Sequence, residues 1–269
     1  MHWHRLSIHT GLWPQEKCRE AIDEIASAGF THVEGPESLR AQLGGNTELV
    51  SFELSQRQLQ LNALVGGGNF SHPEQAALVA QHEEIARFLA TMGQGFLLAE
   101  TGPRESYEGI KVDFKRMAER FDLLGKHTFD LGVPLMVLTR YGQRIQTEEE
   151  IDRLLNDLRN EDVQLCPDLG GLARADEDPI AILETYAERI GHVYWKDIVH
   201  PEMRPEDPRE YVEVGYGAMD YQAIAQALQA IGYRGKITLE LPETASSPNE
   251  SLAMMHEYLR NHIITKEPA

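Results

Sequence analysis

The chain predicts an α/β fold, a (β/α)8 TIM barrel, on three observations. Short apolar runs alternate with helix-periodic segments from end to end, the pattern of βα units on a parallel sheet. The length of 269 residues fits one barrel, which typically takes ~250 residues. Ionisable residues recur at the C-terminal ends of the apolar runs, where a parallel α/β protein builds its site. A doubly wound open sheet is the alternative. Residues 1–269 read as a single domain, with no linker, low-complexity segment or repeat.

The segment 163–197 shows the unit most completely. An apolar run at 163–167 ends on Asp168, and Gly170 and Gly171 turn the chain. A helix opens at Asp178 and Pro179, and a second run at 192–194 leads to Lys196 and Asp197. The other units follow the same plan. The first strand is expected at 6–9 and the first helix at 15–28, where Ala21, Ile22, Ile25 and Ala26 keep helical spacing. Gly29 closes that helix as an αL cap. A second strand at 31–34 precedes a helix near 47–57, and a third strand at 59–65 runs into three glycines at 66–68. Those glycines read as a tight loop at the barrel mouth or as a phosphate cradle. They lack the Lys-Ser/Thr ending of a P-loop.

Ser71, with Glu74 three residues on, predicts a capping box for a helix over 72–92. The fourth strand at 95–100 ends on Glu100, and a helix covers 113–130. The fifth strand is expected at 133–139. Thr147 followed by Glu148, Glu149 and Glu150 marks the next helix start, with acids matched to the helix dipole. A long polar loop at 200–217 carries Pro201, Pro205 and Pro208, and long βα loops cover sites. Helices at 221–231 and 250–263 flank an eighth strand at 236–241, and the tail after 264 is expected to fray.

The formal net charge is −18 and the sequence pI about 5.0. That balance disfavours nucleic acid, which needs a basic footprint. Cys18 and Cys166 do not make a disulfide framework and read as reduced core thiols. No run of ~18 apolar residues marks a membrane span, and no signal-peptide core precedes the first strand, so a cytoplasmic location is expected.

Alternate residues of barrel strands face inward. That parity places His9, His32, Glu34, Glu100, Leu138, Arg140, Asp168, Tyr194, Lys196 and Glu240 on the interior side near the strand ends. Ionisable groups at this density point to a polar, catalytic mouth, because buried charge is costly unless paired. Trp195 has the opposite parity and is expected against the helices. Trp13, in the first βα loop, is the candidate for stacking on a sugar ring.

The segments AIDEIASAGFTHVEG (21–35), QTEEEIDRLL (146–155), DLGGLARADEDPIAILETYAERIGHVYWKD (168–197) and VGYGAMDYQAIAQALQAIGYRGKITLE (214–240) resemble the xylose isomerase-like superfamily of sugar isomerases and epimerases. Within it the chain looks most like inosose dehydratase-type proteins. The resemblance runs from about residue 5 to 262. It implies a divalent metal (Mn²⁺, Mg²⁺ or Zn²⁺) held by a Glu at the end of the fifth strand, an Asp after the sixth, a His in the seventh and a Glu at the eighth. Asp168 and Glu240 match two of these positions. The other two fall on Leu138 and Tyr194, and a histidine usual three residues after the Asp is Gly171. Two carboxylates alone make a poor transition-metal site, so the cofactor is either none or a divalent metal on Asp168 and Glu240.

The resemblance implies an isomerase, epimerase or dehydratase (lyase) acting on a polyhydroxylated carbonyl compound through an enolate. Glu240 is the candidate base, with Asp168 as its partner. Lys196 and Arg140 are candidate electrophiles, or else ion-pair partners of the two carboxylates. Tyr194 is a candidate acid or hydrogen-bond donor, and His9, Glu34 and Glu100 would orient hydroxyls. The rival is a non-catalytic barrel, a small-polyol binder or partner subunit that has lost its metal. The endonuclease branch of the superfamily needs a metal cluster and a basic surface that this composition does not offer. The expected ligand is a small polyol or keto-sugar, with no nucleic acid and no membrane. Self-association into a homo-oligomer stays open.

Overall fold

The apolar runs become parallel strands and the periodic segments become the helices that cover them. A computed structural model of the chain describes residues 1–104, 112–199 and 209–264. Seven barrel strands follow in chain order: β1 (Leu6–His9), β2 (His32–Pro36), β3 (Gln60–Gly66), β4 (Phe96–Glu100), β5 (Leu135–Thr139), β6 (Val163–Pro167) and β7 (Val193–Trp195). A two-stranded antiparallel ribbon, β8 (Asp197–Ile198) with β9 (Tyr211–Val212), stands outside the barrel, and β10 (Ile237–Leu239) completes it. The hydrogen-bonded order is β6-β5-β4-β3-β2-β1-β10-β7. Single parallel bridges, Leu165 to Ile190 and Asp168 to Tyr194, draw β6 towards β7 and nearly close the ring. This is the eight-stranded barrel the sequence predicts.

The helices are α1 (Cys18–Ser27), α2 (Ser38–Gln42), α3 (Thr47–Ser55), α4 (Leu78–Met92), α5 (Phe114–Asp130), α6 (Glu148–Asp157), α7 (Leu169–Arg174), α8 (Pro179–Thr185), α9 (Tyr221–Ala230) and α10 (Pro248–His262). The capping box at α6 is present: Thr147 accepts from the Glu150 N–H and the Glu150 carboxylate accepts from the Thr147 N–H. Asp113, Asp178 and Asp220 cap α5, α8 and α9 in the same acceptor role.

Strand parity sorts the core into two parts. Outward residues pack with the helices: Leu97, Ala99, Val137, Leu165 and Trp195 lie in the large core cluster, and the Trp195 ring meets Tyr221 of α9 at 4.7 Å. Inward residues Ala63, Val65, Leu98, Met136, Leu138, Cys166 and Tyr194 fill the barrel. The apolar interior is capped at its C-terminal end by a charged layer. Cys18 and Cys166 are both free and buried.

Two expectations need correction. The helix expected over 72–92 begins only at Leu78, so Ser71 and Glu74 form no capping box. The Ser71 hydroxyl donates to Asn69 Oδ1, and Arg120 of α5 donates to the carbonyls of Phe70 and His72 at 2.7 Å. Those carbonyls are thereby taken by a neighbouring helix, not by a helical turn of their own. The glycine run at 66–68 is packed at both ends, with Gly67 exposed between them. A Cβ on Gly66 would meet His82 at 2.4 Å, and one on Gly67 would lie 3.4 Å from the Glu100 carboxylate. It is a close-approach loop under α4, with an anion beside it that disfavours phosphate.

The loop expected to cover the site falls partly outside the described residues, as do Pro201, Pro205, Pro208 and the tail after 264. Its described part is organised by Asp197, whose carboxylate accepts from the N–H groups of Ile198, Gly215, Gly217 and Met219. Among the described residues no helix is long and apolar enough to cross a membrane.

Candidate active site

The site is assembled from the residues that leave the C-terminal ends of β4, β5, β6, β7 and β10. Asp168, the first residue after β6, caps α7: its Oδ1 accepts from the Gly171 N–H at 3.0 Å. Its other oxygen, Oδ2, is 3.0 Å from Lys196 Nζ and 3.5 Å from Arg140 Nε. Capping thus fixes the carboxylate's rotation and presents one oxygen to the cations. Gly170 permits the approach, since a Cβ there would stand 1.9 Å from the Lys196 carbonyl oxygen. Gly171 is confined too: a Cβ there would stand 2.8 Å from the Tyr141 backbone nitrogen and 3.1 Å from the Asp168 carboxylate, so the histidine expected from the family pattern has no room.

Arg140, the first residue after β5, is the hub. Its Nη2 donates to Glu240 Oε2 at 2.8 Å and its Nη1 to Glu100 Oε1 at 3.3 Å. Lys196 Nζ lies 2.8 Å from the same Glu240 oxygen. Three carboxylates therefore share two cations at the mouth. Glu240 Oε1 faces His9 Nδ1 at 3.8 Å. That nitrogen accepts from the Gly11 N–H, and burial lowers the His9 pKa, so the pair is not an ion pair at neutral pH. Burial alone would push Glu240 up and Lys196 down. The surrounding opposite charges overcome it: Arg140 and Lys196 hold Glu240 well below the carboxylate range, and Asp168 and Glu240 raise Lys196.

Exposure grades the cluster by depth. The side chains of Glu100 and Arg140 are 24% and 17% exposed, those of Glu240 and Lys196 8% and 4%, and Asp168 is fully enclosed. A ligand entering the mouth therefore meets Glu100 and Arg140 first.

Several sequence candidates sit elsewhere than expected. Trp13 is buried in the helix-side core and its Nε1 donates to Glu24 Oε2 of α1 at 2.9 Å, so it presents no free face to a sugar. The pairing of β2 with β3 shifts register between Val33 and Glu34. Glu34 points into the sealed interior, where Oε2 accepts from Thr238 at 2.8 Å and Asn62 at 3.1 Å and lies 3.4 Å from His192 Nε2. His32 begins β2 and hydrogen-bonds to Thr31 and Gln60, at the opposite end of the barrel from the mouth. Tyr194 is fully buried, its ring 5.4 Å from the Arg140 guanidinium, and its hydroxyl has no hydrogen-bond partner among the described residues.

Tyr211 was not anticipated. It brings its ring to 4.9 Å from Lys196 Nζ, and Arg174 of α7 holds it beside Glu210. The signal available was its place in the loop expected to cover the site.

The positions a metal would need are filled by other chemistry. Leu138 is an apolar interior residue, Tyr194 is sealed under Arg140, and the ammonium of Lys196 lies within 3.0 Å of both remaining carboxylates. Among the described residues no three His, Cys, Asp or Glu side chains converge on a common point suited to a metal ion. The donor set does not fit the resident divalent ion the family pattern implies.

A nearly closed eight-stranded barrel with its ionisable residues at the C-terminal rim defines a (β/α)8 protein with an enzyme-like mouth. Residues 22–262 match the xylose isomerase-like TIM barrel family, and the chain belongs to it. An inosose dehydratase of Clostridium beijerinckii is 30% identical, over 93% of this chain and 91% of its own. One from Lacticaseibacillus casei is 28% identical, and there the match spans only 51% of this chain and 50% of the relative. D-psicose 3-epimerase from Clostridium cellulolyticum H10 shares the fold with a TM-score of 0.80 at 15% identity, covering 97% of this chain and all of its own. A probable 3-DHS dehydratase from Bacillus anthracis does so with a TM-score of 0.75 at 14% identity, covering 97% and 99%.

Proposed function

We propose that this protein is a sugar or cyclitol isomerase, epimerase or dehydratase that forms an enolate from a polyhydroxylated carbonyl substrate without a resident metal. The observation that carries the reading is the clamp of Lys196 and Arg140 on Asp168 and Glu240. Enolate formation needs a base at the acidic C–H and a positive group at the carbonyl oxygen. In relatives of this fold a metal is the expected positive group; here an ammonium and a guanidinium stand in its place. Named relatives that dehydrate inosose support a keto-cyclitol as the first substrate to try.

The substrate's carbonyl oxygen takes a hydrogen bond from Lys196 or Arg140. Glu240 removes the neighbouring C–H proton as that oxygen becomes anionic. Withdrawing a cation from Glu240 raises its basicity, so substrate binding itself activates the base. The enolate then takes a proton from water at the same carbon on the other face, or at the former carbonyl carbon while the neighbouring hydroxyl gives up its own and becomes the new carbonyl, or it expels a β-hydroxyl, which leaves as water with the proton Glu240 removed. Glu100 and His9 orient hydroxyls at the entrance. Asp168, Tyr194 and Glu34 act from beneath: Asp168 holds Lys196 in place, while Tyr194 and Glu34 fill the interior.

The test is solvent proton exchange. Chelator-treated protein in deuterated water should incorporate deuterium next to the carbonyl of an inosose or ketohexose, and Glu240→Gln should abolish the incorporation. Stoichiometric Mn²⁺ or Zn²⁺ binding that restores lost activity would overturn the metal-free reading. A second reading, a non-catalytic polyol-binding barrel or partner subunit, draws on one observation: both mouth cations already hold carboxylates. Saturable binding of a polyol with no exchange across a broad panel would favour it.

A further inference from the structure

At the N-terminal face of the barrel, opposite the mouth, a cleft of about 420 Å³ is lined by His2, His4, Arg5, His32, Arg234 and Lys236. Every lining residue is basic, in a chain with 43 acidic residues against 25 lysines and arginines. A second cavity of about 340 Å³ continues from it under the strand starts. It shares His32, Arg234 and Lys236 and adds the amides Gln60, Asn62 and Gln94. No carboxylate lines either cavity.

Among the described residues these cations make no ion pair with a carboxylate. Arg5 spends its guanidinium on backbone carbonyls, donating to Gly235 at 2.6 and 2.9 Å and to Tyr233 at 3.2 Å. Lys236 is half-buried, and burial lowers its pKa with no acid among the described residues opposing it. Burial, and after it the charge of Lys236, depress His32 to about 4, and burial likewise lowers Arg5, with a smaller contribution from Arg234. Arg5, Lys236 and Arg234 remain as cations at neutral pH, the first two half-buried, and like charges held close in a partly desolvated cleft cost free energy that an anion would relieve. A solvated basic face would spread its charges outward; this one gathers them into a concavity of small-ligand size.

We propose that this cleft is a binding site for a dianionic phosphate group, free or as a small phosphomonoester, separate from the catalytic mouth. A dianion matches clustered cations better than a carboxylate does, and the Arg234 fork and the Lys236 ammonium are the usual partners of phosphate oxygens. Lys236 immediately precedes β10, and Glu240 immediately follows it, so one short strand separates the two sites.

The experiment is calorimetric titration of the full chain with inorganic phosphate, glycerol 2-phosphate and acetate, alongside the His32 ring-proton signals assigned with His32→Gln. Saturable binding of phosphate or the ester in about the millimolar range or tighter is expected, with His32 signals moving on binding. Lys236→Met combined with Arg234→Ala should weaken it at least about tenfold, while Arg140→Gln at the mouth should not. Binding of the ester alone assigns an organic phosphate; equal binding of both assigns the phosphate group itself. The proposal falls if neither phosphate binds, if acetate binds as tightly, if the double variant binds like the parent, or if Arg140→Gln removes the binding. The thermal transition of the double variant without phosphate guards against misfolding, and relief of repulsion should leave it unchanged or raise it.

Discussion

Arg140 and Glu240, one hundred residues apart in sequence, meet at 2.8 Å across the mouth of the barrel. The contact ties the end of β5 to the end of β10 and is one of three that Arg140 makes with carboxylates. Most of what the site can do depends on this one guanidinium. Arg140→Gln should leave Lys196 alone against Asp168 and Glu240, at a cost of roughly 3 kcal/mol or more, as for other broken buried pairs. Urea unfolding of the two proteins at neutral pH measures it.

The same contact sets an acid limit. Glu240 is held well below its ordinary value of 4.5 by Arg140 and Lys196. The stability from this depression is fully present above that value and is lost as the pH falls below it towards the folded pKa. Lys196 has the opposite sign: its pKa is raised above the ordinary 10.5, so its contribution holds below that value and fails as the pH climbs through the folded pKa. Arg140→Gln should therefore bring acid unfolding to higher pH, read by circular dichroism against pH.

Lys196→Met removes an electrophile that works in a buried site. Catalysis of exchange should drop about a hundred- to a thousandfold in kcat, with KM changed far less. A loss confined to KM would mean that Lys196 only helps to bind substrate.

Gly170→Ala probes how closely α7 must approach β7. The new methyl would stand 1.9 Å from the Lys196 carbonyl, so the backbone beneath the ammonium has to shift. About 1–3 kcal/mol of destabilisation is expected, together with reduced exchange activity. A variant with parental stability and activity would show that the strand yields without moving the site.

Trp13→Phe separates core from binding surface. Losing the indole donor to Glu24 should cost about 1 kcal/mol and leave KM for any substrate unchanged. A raised KM would return Trp13 to the sugar site.

How much was legible in the sequence varied with the range of the interaction that decided it. β1 and β6 fall on the residues expected, and the α6 capping box is present, because alternation, apolar runs and a Thr-x-x-Glu box are local codes. The same code misled at Ser71 and Glu74. There the arginines of α5, which lie some fifty residues on, claim the carbonyls a helix would have used. Parity put Arg140, Asp168, Lys196 and Glu240 on the inner face, since side chains alternate along any strand. It put Glu34 on the inner face as well, but below the mouth, and His32 at the opposite end, because parity gives the face but not the depth.

The sequence by itself determined the barrel, the ring of charge at its C-terminal rim, and the departures at Leu138, Gly171 and Tyr194 from the metal-binding pattern of the family. Only the tertiary structure decided that Arg140 and Lys196 occupy the space between Asp168 and Glu240, that Trp13 and Tyr194 are core, and that six basic residues gather at the far end of the barrel. The reason is physical. Strand direction and alternation are carried by neighbours in the chain, whereas a salt bridge or a cleft forms between groups that only the closed ring of strands brings together.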